Sequence, residues 1–262
     1  TNPMGIYGTR GGFSGYDNRG KYWTRKQDGF STNNDLIFTA KKTFGDFGID
    51  GLLGGAVFYR RNNTLTASTV NGLAIPGFYS LRNSVGPVSS VESKIKEMTN
   101  SVYGRLSLSW RNLIFLEATG RNDWSSTLPK ENRSYFYPSL SGSVVVSDLF
   151  EKPQWLNLLK VRGSQAVTKQ ILDPYEINQA FTVTANVWDG LSTGSYPNSI
   201  KDFSISPTQR DLTEVGLDFS VLNNRLYGDY TRYYRREHNA ITSATISGAT
   251  GFTSRLINTK EE

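Results

Sequence analysis

A strict alternation of apolar and polar residues over long segments most constrains what this chain can fold into. From Ser101 to Trp110, one set of alternate residues is apolar or glycine and the other set is mainly polar. The two sets are Val102, Gly104, Leu106, Leu108 and Trp110, and Ser101, Tyr103, Arg105, Ser107 and Ser109. Because successive side chains of a strand point to opposite faces, this period of two predicts a β-strand with one apolar face.

The next segment predicts a hairpin partner for this strand. Arg111-Asn112 predicts a tight turn, and the alternation resumes from Leu113 to Gly120. Further strands are predicted at Leu36–Phe44, Ile49–Arg60, Ser139–Ser147, Leu158–Val167, Leu212–Val221 and Arg225–Arg236. Because only Glu92–Met98 suggests a short helix, we expect residues 1–262 to belong to one all-β domain.

The connections between these strands alternate between short and long. The short turns are Gly45–Gly48, Arg111-Asn112 and Asn223-Asn224, and the long polar connections are residues 62–99, 123–133 and 168–210. Outer-membrane barrels have short periplasmic turns and longer external loops, and their tilted strands need about ten residues. A β-sandwich also alternates its loops, but its strands are nearer five or six residues. The pattern therefore favours a transmembrane antiparallel β-barrel, with a soluble, glycan-binding β-sandwich as the alternative.

Hydropathy is compatible with a membrane protein of this kind. No segment approaches the roughly eighteen consecutive apolar residues of a transmembrane helix. The mean hydropathy is −0.43, but alternating barrel strands average to such values because half of their residues are polar. The charge is +6, with Lys and Arg scattered along the chain. This distribution argues against nucleic acid as a partner and fits contact with anionic outer-membrane lipid.

The sequence offers little for catalysis or for metal binding. It has no cysteine, and His238 is its only histidine. Thiol chemistry, cysteine-bound zinc and a site with several imidazoles are therefore excluded. No Gly-x-Ser-x-Gly motif accompanies His238, and Asp123 and Glu131 are interpreted as solvated carboxylates rather than a catalytic pair. We predict a protein that is not an enzyme and that has no catalytic residues, no metal site and no cofactor.

Aromatic side chains in the predicted external loops are candidates for binding. Trp124, Trp188 and Tyr196 lie in the long connections, and Asp123 precedes the first of them. Exposed aromatic rings could stack on a sugar or contact a partner, or they could pack the loop against its neighbours. We take Asp123, Trp124, Trp188 and Tyr196 as the candidate contacts for substrate or partner.

Several ordered motifs resemble one known family. They are Phe115–Pro129 (FLEATGRNDWSSTLP), Ser134–Ser139 (SYFYPS), Trp155–Ser164 (WLNLLKVRGS), Glu214–Phe219 (EVGLDF) and Leu222–Leu226 (LNNRL). Each motif alone is weak, but together and in this order they resemble the SusC/RagA family of TonB-linked outer-membrane proteins from Bacteroidetes.

The resemblance implies more than the alternation does. It implies a segment of a large plugged TonB-dependent barrel, in which about 22 strands are usual. About nine or ten of those strands would come from this chain, estimated from the alternation. The plug, the TonB-contacting box and the last strand would lie outside it. The resemblance also implies import of an oligosaccharide, or of a peptide, with a SusD-like lipoprotein at the external face and with energy from TonB.

Overall fold

The computed structural model describes residues 20–188 and 191–259, and the fold of this part is almost entirely β. Its thirteen strands are β1 (Trp23–Phe44), β2 (Phe47–Ser68), β3 (Ser89–Trp110), β4 (Ile114–Ser125), β5 (Ser134–Val145), β6 (Leu156–Gln170), β7 (Thr182–Trp188), β8 (Leu191–Ser195), β9 (Ser199–Ile200), β10 (Thr208–Val221), β11 (Leu226–His238), β12 (Ile241–Thr245) and β13 (Ser254–Asn258). Four single 3₁₀ turns are the helical elements of the described residues, at Leu81–Asn83, Lys130–Asn132, Val146–Asp148 and Gly248–Thr250. None of the helical turns in this described part is long and apolar enough to cross a membrane.

Eight long strands form one sheet, in the order β1-β2-β3-β4-β5-β6-β10-β11. Each strand pairs with its neighbour in sequence, except that β6 pairs with β10 across the connection that contains β7, β8 and β9. We call this eight-stranded sheet the wall. Two smaller sheets, β12-β13-β9 and β7-β8, are built from the short strands.

The register confirms the faces predicted from the alternation. Leu106 lies opposite Ala118, and Ser107 lies opposite Glu117. Because paired residues share a face of the sheet, the apolar sets of successive strands lie together, and so do the polar sets. We call the apolar side the outer face and the polar side the inner face.

The chain divides into two compact units. The first contains the N-terminal parts of β1 and β3 and the C-terminal part of β2. Within the described residues this unit covers 20–32 and 59–97. Its core lies in the connection from 69 to 88, where Leu73 is buried together with Thr69 and Asn83. The Asn83 amide donates to the carbonyls of Ile75, at 2.8 Å, and Phe78, at 2.7 Å. One amide side chain thus satisfies backbone groups that have no strand partner.

The second unit, residues 33–58 and 98 onward, has an outer face that is broadly exposed. Leu36 and Phe38 are each 65% exposed and Val215 is 57% exposed. Other exposed apolar residues on this face are Phe44, Leu53, Val102, Leu106, Leu116, Leu140 and Val161. A β-sandwich would bury one such face against a second sheet, so the exposure argues against that alternative.

The short turns at one end of the wall follow the predicted chemistry. Arg111 and Asn112 have φ of 51° and 55°, and Asn223 and Asn224 have φ of 56° and 63°. Asparagine tolerates this left-handed region better than most residues, so it suits tight hairpins. The Arg111 guanidinium donates to the Asp46 carboxylate of the adjacent turn at 2.7 Å.

The predicted bounds of β1, β2 and β3 were wrong, because each of these strands is longer than the sequence predicted. β2 continues to Ser68 and β3 begins at Ser89, so the connection predicted over residues 62–99 is much shorter. The predicted helix Glu92–Met98 is part of β3, and β1 begins at Trp23 rather than Leu36. The physical reason is that neither face is consistently apolar in these extensions, so the alternation fades although the strand pairing continues. The assignment of residues 1–262 to one barrel domain stays a prediction.

Candidate functional site

The inner face of the wall forms a polar groove of about 1000 Å³ near the short turns. Ion pairs between neighbouring strands cross its floor. Arg105 contacts Asp50 at 2.7 Å and lies 3.9 Å from Glu117, which also accepts a hydrogen bond from Ser107 at 2.6 Å. These side chains come from β2, β3 and β4. The groove is therefore lined by charges of both signs and favours neither an anionic nor a cationic ligand.

A second set of polar contacts continues the groove across β6, β10 and β11. Arg162 donates to Thr231 Oγ1 at 2.8 Å, and its Nε lies 3.4 Å from Asp218 Oδ1. The Nε is buried and makes no hydrogen bond itself, because the ion pair is not aligned for one. Arg162 reaches β11 by passing over Gly216, where an added Cβ would lie 2.6 Å from Nε. The glycine thus leaves space for an arginine that links three strands.

Tyr103 makes an equivalent crossing on the other side of the groove. Its hydroxyl donates to Asp35 on β1 at 3.0 Å, two strands away from its own position on β3. The ring passes over Gly54 of β2, where an added Cβ would lie 2.6 Å from ring carbons. Glycine inside a strand often marks such a close approach, and this is the signal in the sequence that could have predicted both crossings.

Asp123 is the buried centre of a polar network further along the inner face. It belongs to β4, not to a loop, and it is only 6% exposed. Its carboxylate accepts from the Arg121 guanidinium at 2.8 Å and from the Tyr137 hydroxyl at 2.7 Å. Arg121 also donates to Ser101 Oγ at 2.9 Å and lies over the Tyr103 ring, 5.5 Å from its centre. Arg121, Asp123 and Tyr137, which all lie in the sequence motifs, therefore link β3, β4 and β5. Both oxygens of the Asp123 carboxylate already accept a hydrogen bond from within the protein.

The segment after Asp123 is also packed rather than open. Ser125, Thr127 and Leu128 are all buried, and the Ser125 and Thr127 hydroxyls lie 3.0 Å apart. Asn132, in the adjacent 3₁₀ turn, donates to the carbonyls of Ser204 and Ile205 at 2.8 Å and 3.1 Å. The connection between β4 and β5 thus supports the longer connection between β6 and β10.

Trp124 lies in a strand and not in the predicted loop, whereas Trp188 lies in the predicted connection. Trp124 is the next residue of β4 after Asp123, so it lies on the outer face, where it is 40% exposed. Trp188 ends β7 and its backbone pairs with Leu191 of β8. Trp188 therefore does lie in the connection between β6 and β10, as the sequence predicted.

Tyr196, in the same connection, belongs to an aromatic cluster that also includes Phe252 from the segment between β12 and β13. Its ring meets Phe181 edge-on at 5.0 Å between centroids, and Phe252 at 5.3 Å. Phe181 and Tyr196 remain 66% and 60% exposed. We call Phe181, Tyr196 and Phe252 the external aromatic cluster. The rings pack against one another, yet Phe181 and Tyr196 stay exposed. The cluster is therefore able to stabilise the connection and to contact a ligand or a partner at the same time.

Close to this cluster in sequence, a charged contact joins the connection to the three-stranded sheet. Asp202 accepts from the hydroxyl and the backbone N–H of Ser204, at 2.6 Å and 2.8 Å, and from Arg255 at 2.9 Å. The two Ser204 hydrogen bonds, with a smaller contribution from Arg255, hold the pKa of Asp202 below its usual range. This carboxylate is ionised at neutral pH and has a structural role.

His238 lies beside an acidic side chain of the neighbouring strand. The His238 imidazole lies 3.0 Å from Asp211 on the outer face of β10 and β11. Within residues 20–188 and 191–259, no group of three or more His, Asp or Glu side chains could hold a metal ion.

Comparison with known proteins agrees with the motifs in the sequence. No family model matches the chain. The chain is 24% identical over 233 residues to the TonB-dependent receptor P26 of Formosa agariphila. It is 27% identical over 183 residues to the TonB-dependent receptor SusC of Bacteroides thetaiotaomicron. These alignments cover 86% and 63% of this chain. The chain is related to the SusC-type TonB-dependent receptors, as its motifs predicted.

The fold of this chain also matches a solved structure. The structure described as the RagAB peptide transporter superposes with a TM-score of 0.78 and 18% identity, over 91% of this chain and 27% of that one. The chain spans 24% of the length of receptor P26 and 18% of the length of SusC. The predicted fold class, part of a transmembrane antiparallel β-barrel, and the predicted location in the outer membrane are confirmed.

Proposed function

We propose that the SusC-type protein containing this chain imports a nutrient across the outer membrane, driven by TonB, and that the wall forms part of its barrel. The observation that carries the proposal is the chemical contrast between the two faces of the wall. The outer face is apolar and exposed, which suits lipid, whereas the inner face carries an ion-paired groove, which suits water and polar cargo. A barrel with this contrast encloses a polar path.

The inner groove is better suited to supporting another part of the receptor than to binding a ligand selectively. Its Arg105 and Arg162 are already paired with Asp50, Glu117 and Asp218. Because those charges are compensated inside the wall, we propose that the groove faces the plug of the full-length receptor and keeps the lumen wall rigid beside it.

Recognition of cargo or of a lid protein is assigned to the external aromatic cluster. Phe181 and Tyr196 present open rings on a connection that is held at several points. Aromatic faces stack on sugar rings and on the apolar side chains of peptides. The relatives are named SusC and the RagAB peptide transporter, so oligosaccharide and peptide are both substrate classes to test, and a SusD-like lipoprotein is the partner to test.

The predicted contacts Asp123 and Trp124 take other roles in this proposal. Asp123 organises the network on the inner face, and Trp124 lies on the outer face near the ends of the strands. Barrels place aromatic rings at membrane interfaces, so we propose that Trp124 anchors the wall at the external interface. Trp188 and Tyr196 remain the candidates for contact with substrate or partner.

The test uses the full-length receptor in its native membrane. Growth on single oligosaccharides or peptides is measured for the wild type, for a strain without TonB and for the double variant Tyr196→Ala/Phe252→Ala. We expect no growth without TonB and at least tenfold slower uptake in the double variant. Phe78→Ala, which removes another exposed loop aromatic, is the matched control and should leave uptake unchanged.

Purification in mild detergent then separates the two possible contacts of the cluster. A lipoprotein that co-purifies with the wild type but not with the double variant would assign the cluster to the lid. If the lipoprotein is retained while uptake falls, the cluster contacts cargo. Uptake that continues without TonB, or recovery of the receptor in a soluble fraction, would contradict the proposed function itself.

A further inference from the structure

β12 forms one edge of the three-stranded sheet β12-β13-β9. The strand follows β11, which leads away from the short turn at Asn223-Asn224, so under the proposed function it lies on the side of the cell exterior. Within the described residues, β12 pairs with β13 on one side and has no strand partner on the other. Because an unpaired edge presents backbone N–H and C=O groups, β12 is able to accept a further strand.

The register identifies the backbone groups of β12 that face this open side. In an antiparallel pair, residues that exchange hydrogen bonds alternate with residues that do not. The Thr259 N–H donates to the Ala240 carbonyl at 2.8 Å, and the Ile246 N–H donates to the Thr253 carbonyl at 3.1 Å, just beyond the two ends of β12. The even-numbered residues of β12 therefore bond to β13, and the odd-numbered residues direct their N–H and C=O groups to the open side.

One of the odd-numbered residues already uses its N–H. The Ile241 N–H donates to Thr208 Oγ1, at the start of β10, at 3.2 Å. Ser243 and Thr245 lie beyond this contact, and both are exposed. Each of them presents one N–H and one C=O, so these two residues offer paired donors and acceptors at the spacing of a strand. We call Ser243 and Thr245 the open edge.

The open edge has none of the features that usually prevent the addition of a strand. Charged side chains, proline and bulges protect the edges of natural sheets. Residues 241–246 have the sequence ITSATI, with no charge and no proline, and the register between β12 and β13 is regular. An uncharged and regular edge of this kind suits a partner that binds through its own backbone.

The external aromatic cluster lies at one end of the open edge. Phe252 directly precedes Thr253, whose carbonyl accepts from Ile246, the residue after Thr245. The Tyr196 ring meets the Phe252 ring at 5.3 Å between centroids. A chain that paired with β12 would therefore end beside exposed aromatic rings, which stack on apolar side chains.

We propose that the open edge binds peptide cargo in an extended conformation, as a strand added to β12. The inference rests on the proposed function and deepens it, because it names peptide rather than oligosaccharide as the substrate class. An extended peptide repeats its N–H and C=O groups about every 6.8 Å, as the edge does, whereas the hydroxyls of a sugar have no such repeat. Backbone pairing also accepts many sequences, so the aromatic rings would supply the preference for apolar side chains.

The experiment measures binding of a fluorescently labelled pentapeptide, Val-Ala-Leu-Ala-Val, to the full-length receptor in mild detergent by anisotropy. The variant Ser243→Pro/Thr245→Pro removes the two open N–H groups, neither of which β13 uses. We expect the peptide to bind this variant about 25-fold more weakly than the wild type, from about fivefold for each neutral hydrogen bond. The same peptide with all its amides N-methylated cannot donate, and it should bind the wild type more weakly by at least the same factor.

Ser243→Ala/Thr245→Ala is the matched control, because alanine removes both hydroxyls and keeps both backbone N–H groups. It should bind the peptide as the wild type does, to within about twofold, the scale of an exposed substitution. The shift in electrophoretic mobility on heating checks that every variant forms a folded barrel. Maltopentaose, a neutral oligosaccharide, is the probe for the other substrate class and should not displace the peptide.

Equal binding of the peptide to the wild type and to the folded proline variant would overturn the inference. So would an equal loss in the alanine variant, which would indicate recognition by the hydroxyl side chains. Loss of a co-purifying lipoprotein from the proline variant, with peptide binding retained, would assign the open edge to the lid. Binding of maltopentaose without binding of the peptide would make oligosaccharide the substrate, and TonB-dependent growth on it would leave the proposed function standing.

Discussion

The wall and the connection between β6 and β10 are stabilised by different kinds of contact. In the wall, pairing continues over strands of up to 22 residues, and side chains such as Tyr103 and Arg162 span three strands. In the connection, the strands have two to seven residues, and single polar side chains hold the backbone. The wall is therefore stabilised by a repeated pattern, whereas the connection depends on individual contacts.

This difference predicts how each region responds to a mutation. A change on the inner face of the wall should be transmitted to neighbouring strands, because each crossing side chain has partners on more than one of them. A change in the connection should remain local, since its strands have at most seven residues and belong to sheets separate from the wall. The mutations below test this contrast, from the largest expected effect to the smallest.

Asp123→Ala should cause the largest loss of stability. It removes the acceptor of Arg121 and Tyr137 on a side chain that is 8% exposed, and it leaves a guanidinium without its carboxylate. We expect the free energy of unfolding to fall by about 3 kcal/mol, as for the loss of a buried carboxylate that accepts charge-assisted hydrogen bonds. Urea-dependent unfolding of the full-length receptor in detergent measures this value.

Asp35→Ala is the control for Asp123→Ala, because Asp35 accepts from Tyr103 on the same inner face but is exposed, on the edge strand β1. Its loss should cost well under half as much. An equal cost for both variants would contradict the central role of Asp123.

Gly54→Val should destabilise the wall although valine favours strands. The new side chain would meet the Tyr103 ring, which must move and give up its hydrogen bond to Asp35. We expect a loss of about 2 kcal/mol, typical of overpacking. Gly51→Val is the matched control on the same strand, since an added Cβ there would lie 3.9 Å from its nearest neighbour, the Ala40 carbonyl oxygen. Gly51→Val should be neutral or stabilising, because valine favours strands. If it lowered the free energy of unfolding as much as Gly54→Val does, the passage of the Tyr103 ring over Gly54 would not explain the loss.

Part of the fold and of the candidate site could be predicted from the sequence. The faces of β3, β4, β5, β6 and β10 were predicted correctly because an apolar set alternates with a polar set inside the membrane band. The family and the outer-membrane location were predicted from ordered motifs around Asp123 and Trp155. The role of Asp123 was not predicted, because a loop aspartate and a buried strand aspartate look the same in one sequence.

The strand ends and the crossings were harder to predict. Ser89–Glu97 of β3 lacks a consistently apolar face, so no periodic pattern distinguishes it from a polar loop or a short helix. The links from Tyr103 to Asp35 and from Arg162 to Thr231 join residues 68 and 69 positions apart. Contacts at that separation depend on register, which the sequence shows only indirectly through Gly54 and Gly216.

Asn258→Ala should loosen the connection without affecting the wall. The Asn258 side chain accepts from Ser206 N–H at 2.9 Å and donates to the carbonyls of Ser206 and Asn239, at 2.9 Å and 2.8 Å. Its loss should speed hydrogen exchange of residues 199–207 about tenfold, as expected for an opening free energy lowered by about 1.4 kcal/mol. Exchange in β3 and β4 should be unchanged. Asn178→Ala, an exposed amide in the same connection, is the control, and faster exchange throughout the wall would contradict the separation of the two regions.

Acid should produce the smallest and most local effect, at Asp202. Because the pKa of Asp202 is lowered in the folded state, its contribution to stability is fully present above the ordinary aspartate pKa of about 3.9 and is lost as the pH falls through the lower folded value. Cleavage of residues 198–206 by pepsin should therefore rise as the pH falls below about 3.9, by about threefold, the scale of an exposed ion pair. Asp202→Asn should remove this rise, because an amide does not titrate over that range.

Asp148→Asn provides the spatial control for acid sensitivity. The pKa of Asp148 is also lowered, chiefly by its hydrogen bond from Lys152, but Asp148 lies in the connection between β5 and β6. It should alter acid sensitivity there and leave cleavage of residues 198–206 as in the wild type. If both variants changed cleavage at both places, acid would be acting on the wall as a whole, and the external connection would not be an independently opening region.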